Sequence, residues 1–139
     1  MKTKLTVAFA CAVLLLTGCE GLTKGKAASE AAIDHFHKLY SEGKLDDIWK
    51  EAHPNFRTAS KKAKYDEFMG AVQRKLGKVA SISNAGWTVN SYNLTTTVLI
   101  SRRRCSRRAK ARNQLLSRWT GEKAVLLGYN IQSMDLITK

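Results

Sequence analysis

The chain has few of the residues that carry chemistry. Of its three cysteines, Cys11, Cys19 and Cys105, none forms part of a disulfide framework. Its three histidines are His35, His37 and His53. His35 and His37 stand two apart in a helical pattern and point to nearly opposite sides, so they do not grip one metal ion, and zinc usually takes three or four ligands. The longest apolar run, Leu5 to Leu16, is about a dozen residues and falls short of the roughly 30 Å of hydrocarbon in a bilayer. There is no Ser/His/Asp constellation, no nucleophile motif and no Gly-rich phosphate loop. Nothing calls for a metal or a cofactor, and these absences argue against an enzyme.

The N-terminus carries the clearest signal. Lys2 and Lys4 form a positive segment, the apolar run follows, and Leu16-Thr17-Gly18-Cys19 closes it. That order is an export signal, and its last four residues resemble a bacterial lipobox. The resemblance implies a diacylglyceryl group on the Cys19 sulfur and cleavage between Gly18 and Cys19. Residues 1–18 are then a signal peptide and residues 19–27 a short, flexible lipidated tether of small and polar residues. Two or more acyl chains anchor stably without a transmembrane helix. The expected location is the cell envelope, at the periplasmic face. Glu20 after the lipidated cysteine favours the outer over the inner membrane. The expected partners are the membrane, through the lipid on Cys19, and an envelope protein. Cys105 is left as a single thiol in an oxidising compartment.

Net charge is +13, a value that invites a nucleic-acid reading. Its distribution argues otherwise. Residues 102–118 hold eight cations and no acid, Lys2 and Lys4 hold two more, and the rest of the chain sits near +3. An exported protein rarely meets nucleic acid, so none is expected as a partner. The run also lacks the interleaved aromatics of a single-strand platform.

Residues 28–139 read as one domain. Ala32, Ile33, Phe36, Leu39 and Tyr40 repeat with helical spacing over Ala28–Glu42, and Gly43 stops that helix. Leu45–Ala52 reads as a second helix with Asp46 and Asp47 in its first turn, where the helix dipole explains them better than an acid/base pair. Pro54 ends it. Ser60–Leu76 carries the stripe Tyr65, Phe68, Met69, Val72 and Leu76, with Ser60 as N-cap and Gly77 as terminator. The period then changes. Lys78–Asn90, Thr95–Ile100 and Lys123–Ser133 read as strands, the last with Val125, Leu127, Tyr129 and Ile131 on one face, and Gly121 marks a hairpin turn. Helices followed by strands argue an α+β domain, with the helices on one face of an antiparallel sheet.

This order resembles a family of small exported bacterial proteins of unknown function with an NTF2-like (cystatin-like) fold. The resembling parts are Ile48-Trp49-Lys50-Glu51-Ala52-His53-Pro54-Asn55-Phe56-Arg57, the helix through Tyr65-Asp66-Glu67-Phe68 to Lys75-Leu76-Gly77, and Leu126-Leu127-Gly128-Tyr129-Asn130-Ile131. The resemblance implies N-terminal helices packed on a curved antiparallel sheet, the NTF2-like cone, often with a concave pocket. Some such proteins are isomerases or dehydratases that use an Asp or His with a Tyr. Asp34 and His37, with Tyr40, Tyr65, Tyr92 and Tyr129, are the residues available for that role. Trp49, Trp87 and Trp119 read as core packing more readily than as a pocket lining.

Residues 101–118 break the pattern, because the fold asks for an alternating strand pair there. Three readings stand. The run is a basic loop or strand face, with Arg102, Arg103, Arg104, Arg107 and Arg108 able to bind anionic lipid or lipopolysaccharide phosphates at roughly 1 kcal/mol per residue. It is an Arg-rich helix. Or it is translated out of frame: one permissible codon choice for Ser101–Trp119, read one nucleotide out of register, yields two alternating strands around a glycine turn. Two compensating shifts are then needed, since Gly121 onward reads normally. Sequencing the gene across these codons separates the third reading from the others, and an undisturbed frame removes it.

Overall fold

The computed structural model describes residues 2–93 and 95–138, with side chains described from Gly21 onward. The elements in chain order are α1 (Lys2–Ser41), α2 (Leu45–Glu51), α3 (Pro54–Ala59), α4 (Lys62–Leu76), β1 (Ser81–Tyr92), β2 (Thr95–Cys105), β3 (Lys110–Trp119), β4 (Ala124–Gln132) and α5 (Asp135–Thr138). The strands form one open antiparallel sheet in the order β1-β2-β3-β4. Two helices make its main contacts: α1 packs on β2, β3 and β4, and α3 packs on β4. The chain is therefore α+β, as the period change predicts.

Glycine stops both long helices. Gly43 has φ +77°, and the Lys44 N–H donates to Leu39 O at 2.9 Å just beyond it, which satisfies a terminal carbonyl of α1. Gly77 has φ +69° and donates to Gln73 O at 2.9 Å at the end of α4. The helix starts differ from expectation. Pro54 does not simply terminate α2; it occupies the first turn of α3, where its missing N–H is harmless, and His53 Nδ1 accepts from Asn55 N at 3.1 Å as the cap. α4 begins after Lys61 with no side-chain cap, so Ser60 does not cap it. Its start is held instead by Lys62, which pairs with Asp46 at 2.6 Å and with Asp66.

The core joins Ile33, Phe36, Leu39 and Tyr40 of α1 to Met69, Val72 and Leu76 of α4 and to Val98, Ile100, Leu115 and Ile131 of the sheet. Phe68 falls outside the expected stripe and remains 44% exposed. In β4 the simple alternation fails. Leu116 pairs with Gly128 but Ser117 pairs with Leu126, so Leu127 is an extra residue. This bulge re-phases the strand, and Leu126 packs on the core together with Tyr129.

Residues 101–118 are strand, turn and strand. β2 continues through the arginines to Cys105 and pairs with β3 from Thr96↔Trp119 to Cys105↔Lys110. The Arg-rich helix is thereby overturned. Ser106 Oγ, accepting from the N–H groups of Arg108 and Ala109, closes the turn.

The segment read as a flexible tether is also different. α1 continues back through residues 21–27, and the Trp119 indole lies against it. A methyl group added to Gly25 would meet that ring at 3.1 Å. Cys19 and Gly18 fall within α1, outside the residues whose side chains are described. The Gly25→Leu variant is expected to lose about 1–3 kcal/mol by overpacking, read as a lowered thermal midpoint. A loose segment at this position would leave the midpoint unchanged.

Candidate functional site

The inner face of β2 continues the apolar alternation Val98, Ile100 into Arg102 and Arg104. Register fixes their neighbours: Arg102 pairs with Asn113, Arg104 with Ala111, and Asn113 with Ile131. α1 lies over this face and brings Asp34, His37 and Tyr40 to it. The sheet thus carries two arginines into the interior, where Arg104 is 1% exposed.

Arg102 is held by a carboxylate, its Nη1 lying 3.0 Å from Asp34 Oδ1. Arg104 pairs with no carboxylate among the described residues. Its Nη2 donates to Gly77 O at 2.7 Å, and its guanidinium stands 4.7 Å from the Tyr40 ring centre. Tyr40 Oη donates to the same carbonyl at 3.3 Å. Arg104 therefore caps the C-terminal end of α4, where the dipole favours a cation, and stacks on an aromatic face. Arg108 does the same from the turn, donating to Arg74 O at 2.8 Å.

The rest of the cluster lacks partners. Both ring nitrogens of His37, Nε of Arg102 and Arg104, both amide atoms of Asn113 and the Tyr129 hydroxyl are buried without a hydrogen-bond partner. His37 is lowered from 6.5 to about 4, chiefly by burial and then by the charges of Arg102 and Arg104. Burial raises the Tyr129 phenol, with nearby Arg104 opposing it. His37 and Tyr129 are thus neutral near pH 7. Two depressions, of about 680 and 660 Å³, border the cluster, one at the α1/α4 termini beside Tyr40, Gly77 and Arg108, the other beside Arg104, Ala111, Ile131 and Met134.

The structure brings the acid/base candidates Asp34 and His37 to one region, and His37, 5% exposed, lines neither depression. Tyr65 donates to Leu45 O at 3.0 Å and packs with Trp49 and Phe56, so it and Trp49 are structural. Tyr92 is 79% exposed. His35 meets Glu51 at 2.7 Å on the surface. Asp47 lies 3.9 Å from Lys50. Among the described residues no three His, Cys, Asp or Glu come together as metal ligands. Cys105 is a free, half-buried thiol.

The five arginines singled out for anionic surfaces do not share a face. Arg102 and Arg104 turn inward, Arg103 is exposed on the outer face opposite Arg112, and Arg107 and Arg108 sit in the turn. The sequence carried one sign of the inward pair: the period of two in Val98 and Ile100 continues without interruption onto Arg102 and Arg104. Asn113 gave no such sign. No family model, curated protein or solved structure matches the chain.

Two expectations follow from the cluster. His37 binds a proton more readily unfolded than folded, so its contribution is fully present above pH 6.5 and is lost as pH falls toward 4. A shift of this size is worth on the order of 3 kcal/mol. Urea midpoints between pH 4 and 7 are expected to fall with acid in the parent and to fall less in His37→Gln. Replacing Arg104 by Met removes a buried cation that no carboxylate balances, and is expected to raise stability by about 1–3 kcal/mol. A large loss in Arg104→Met would show that the bond to Gly77 dominates.

Proposed function

We propose that this chain is an exported lipoprotein, cleaved before Cys19 and acylated there. Its NTF2-like domain serves as a binding or interaction module at the periplasmic face of the envelope, on the outer membrane, with an envelope protein as partner. The observation that carries the proposal is the run from Lys2 to Cys19, with its basic start, short apolar stretch and Leu-Thr-Gly-Cys close. Among the described residues no helix is long and apolar enough to cross a membrane, which is consistent with attachment through lipid. His37 is 5% exposed and lines neither of the two depressions beside the cluster, which supports a module over a cone-pocket enzyme, since acid–base chemistry needs a substrate within hydrogen-bond reach.

Metabolic labelling with palmitate tests the anchor. The parent is expected to carry label and Cys19→Ala to carry none; label persisting in that variant refutes the assignment. Capture of a defined envelope protein by the lipidated chain, competed by the purified unlabelled protein, tests the module.

A second reading has its own observation: Arg103, Arg107, Lys110 and Arg112 are exposed on or beside the β2–β3 turn. It takes this end as a contact for anionic lipid or lipopolysaccharide. Its variant is Arg103/Arg107/Arg112→Ala, because Arg102 and Arg104 belong to the interior. Binding to anionic vesicles is expected to weaken with salt and to be lost in that variant; indifference to salt eliminates the reading.

A further inference from the structure

The β2–β3 end of the sheet sets like charges face to face. Register places Arg103 directly opposite Arg112, and both are exposed on the outer face. Like charges in that position destabilise a strand pair. The exposed Lys110 stands two residues from Arg112 on the same face of β3. Among the described residues none of these three cations is paired with a carboxylate.

All three line the depression of about 660 Å³, a size within the roughly 300–1,000 Å³ of small-molecule sites. Its lining from the sheet is residues 103–105, 110–112 and 131–132, all at or next to strand ends. These residues come from both faces, so the depression wraps that end of β2, β3 and β4. The segment after β4 forms the opposite wall with Met134, Leu136 and Ile137. Met134 is 73% exposed and Ile137 80%, an apolar pair left in water. Lys75 Nζ donates to Leu136 O at 2.7 Å and ties this wall to α4. No acidic residue lines the depression.

We infer that this depression binds one molecule of an acyl-chain phosphate, with the phosphate between Arg103 and Arg112 and the chain along Met134, Leu136 and Ile137. A phosphate offers enough oxygens for two guanidinium forks, and it turns the repulsion between the arginines into a shared attraction. Inorganic phosphate would leave the apolar wall in water, and a neutral amphiphile would leave the arginines unbalanced. The inference rests on the second reading above, that this end of the domain meets anionic lipid. It adds that the contact is a site for a single lipid and not a diffuse attraction over the basic turn. Arg107 lies outside the depression and belongs to the diffuse field alone.

The test is native mass spectrometry of the full lipidated chain from dodecyl maltoside micelles, with dodecyl phosphate added; the detergent supplies a neutral amphiphile of the same chain. One bound dodecyl phosphate per chain is expected. Affinity is expected to fall about tenfold or more, the equivalent of at least one charge-assisted hydrogen bond, in Arg103→Ala/Arg112→Ala, to weaken in Met134→Ser/Ile137→Ser, and to hold in Arg107→Ala and in Lys64→Ala. With Cys11 removed and Cys19 acylated, Cys105 is the one free thiol, and it lines the same depression. Its reaction with a maleimide is expected to slow with dodecyl phosphate and not with inorganic phosphate. Competition by phosphatidylglycerol or by lipid A in the same micelles then names the source of the lipid; displacement by neither overturns the site. So does an adduct that is absent from the parent, unchanged in Arg103→Ala/Arg112→Ala, or equally lost in Arg107→Ala. Salt-sensitive vesicle binding beside such a result leaves the charged contact standing, and loss of both overturns both.

Discussion

α1 lies lengthwise on the inner face of a four-stranded sheet, and the position of nearly every other group depends on that contact. Ile33, Phe36 and Tyr40 enter the core between α4 and the strands. Gly25 and Ser29 keep the approach close near Trp119 and Ser117, where larger side chains would push the helix off the sheet. Helices on one face only leave the sheet dry on that side and wet on the other. Arg102 and Arg104 are therefore interior and Arg103 exterior, although the three are consecutive. The alternation of a strand, and not local charge, assigns their environments.

The interior accommodates these cations in an uncommon way. Arg102 has Asp34. Arg104 has the negative end of α4, and the α1 terminus converges on the same place, where Gln73 donates to Tyr40 O at 3.1 Å and Tyr40 to Gly77 O. Helix carbonyls thus take the part a carboxylate would normally play. Neutral His37 and Tyr129 complete the cluster without adding charge. The arrangement leaves seven side-chain atoms unpartnered. It explains how a cationic segment packs inside a domain, and it supplies no obvious catalytic group.

The helices and the change of period were legible because both depend on apolar spacing, which the sequence states directly. Gly43 and Gly77 were legible because left-handed termini favour glycine. The starts of α3 and α4 were not, because Pro54 fits a first turn as well as it ends a preceding helix, and because the Lys62–Asp46 pair joins residues 16 apart. The β4 bulge was hidden because one inserted residue changes the phase without changing composition. Residues 101–118 were the hardest to read. An arginine has no apolar period, so its inward or outward placement follows only from the strand it continues. Four of the seven unpartnered buried atoms belong to Arg102, Arg104 and Asn113, and the other three to His37 and Tyr129. Among the described residues the polar deficit is confined to this segment and its immediate neighbours, a pattern that an out-of-frame stretch inserted into a sound fold would also leave. Trp87 reads as core packing in sequence yet is 52% exposed, because an exposed tryptophan and a core tryptophan look alike there.

β1 is an edge strand of 12 residues with neither a charge nor a proline in it, and such an edge invites pairing with another chain. Along this edge the register shifts between Asn84 and Gly86. A bulge bends and twists its strand, so it breaks the flat row of free N–H and C=O groups that a second chain would need and shortens the stretch open to pairing.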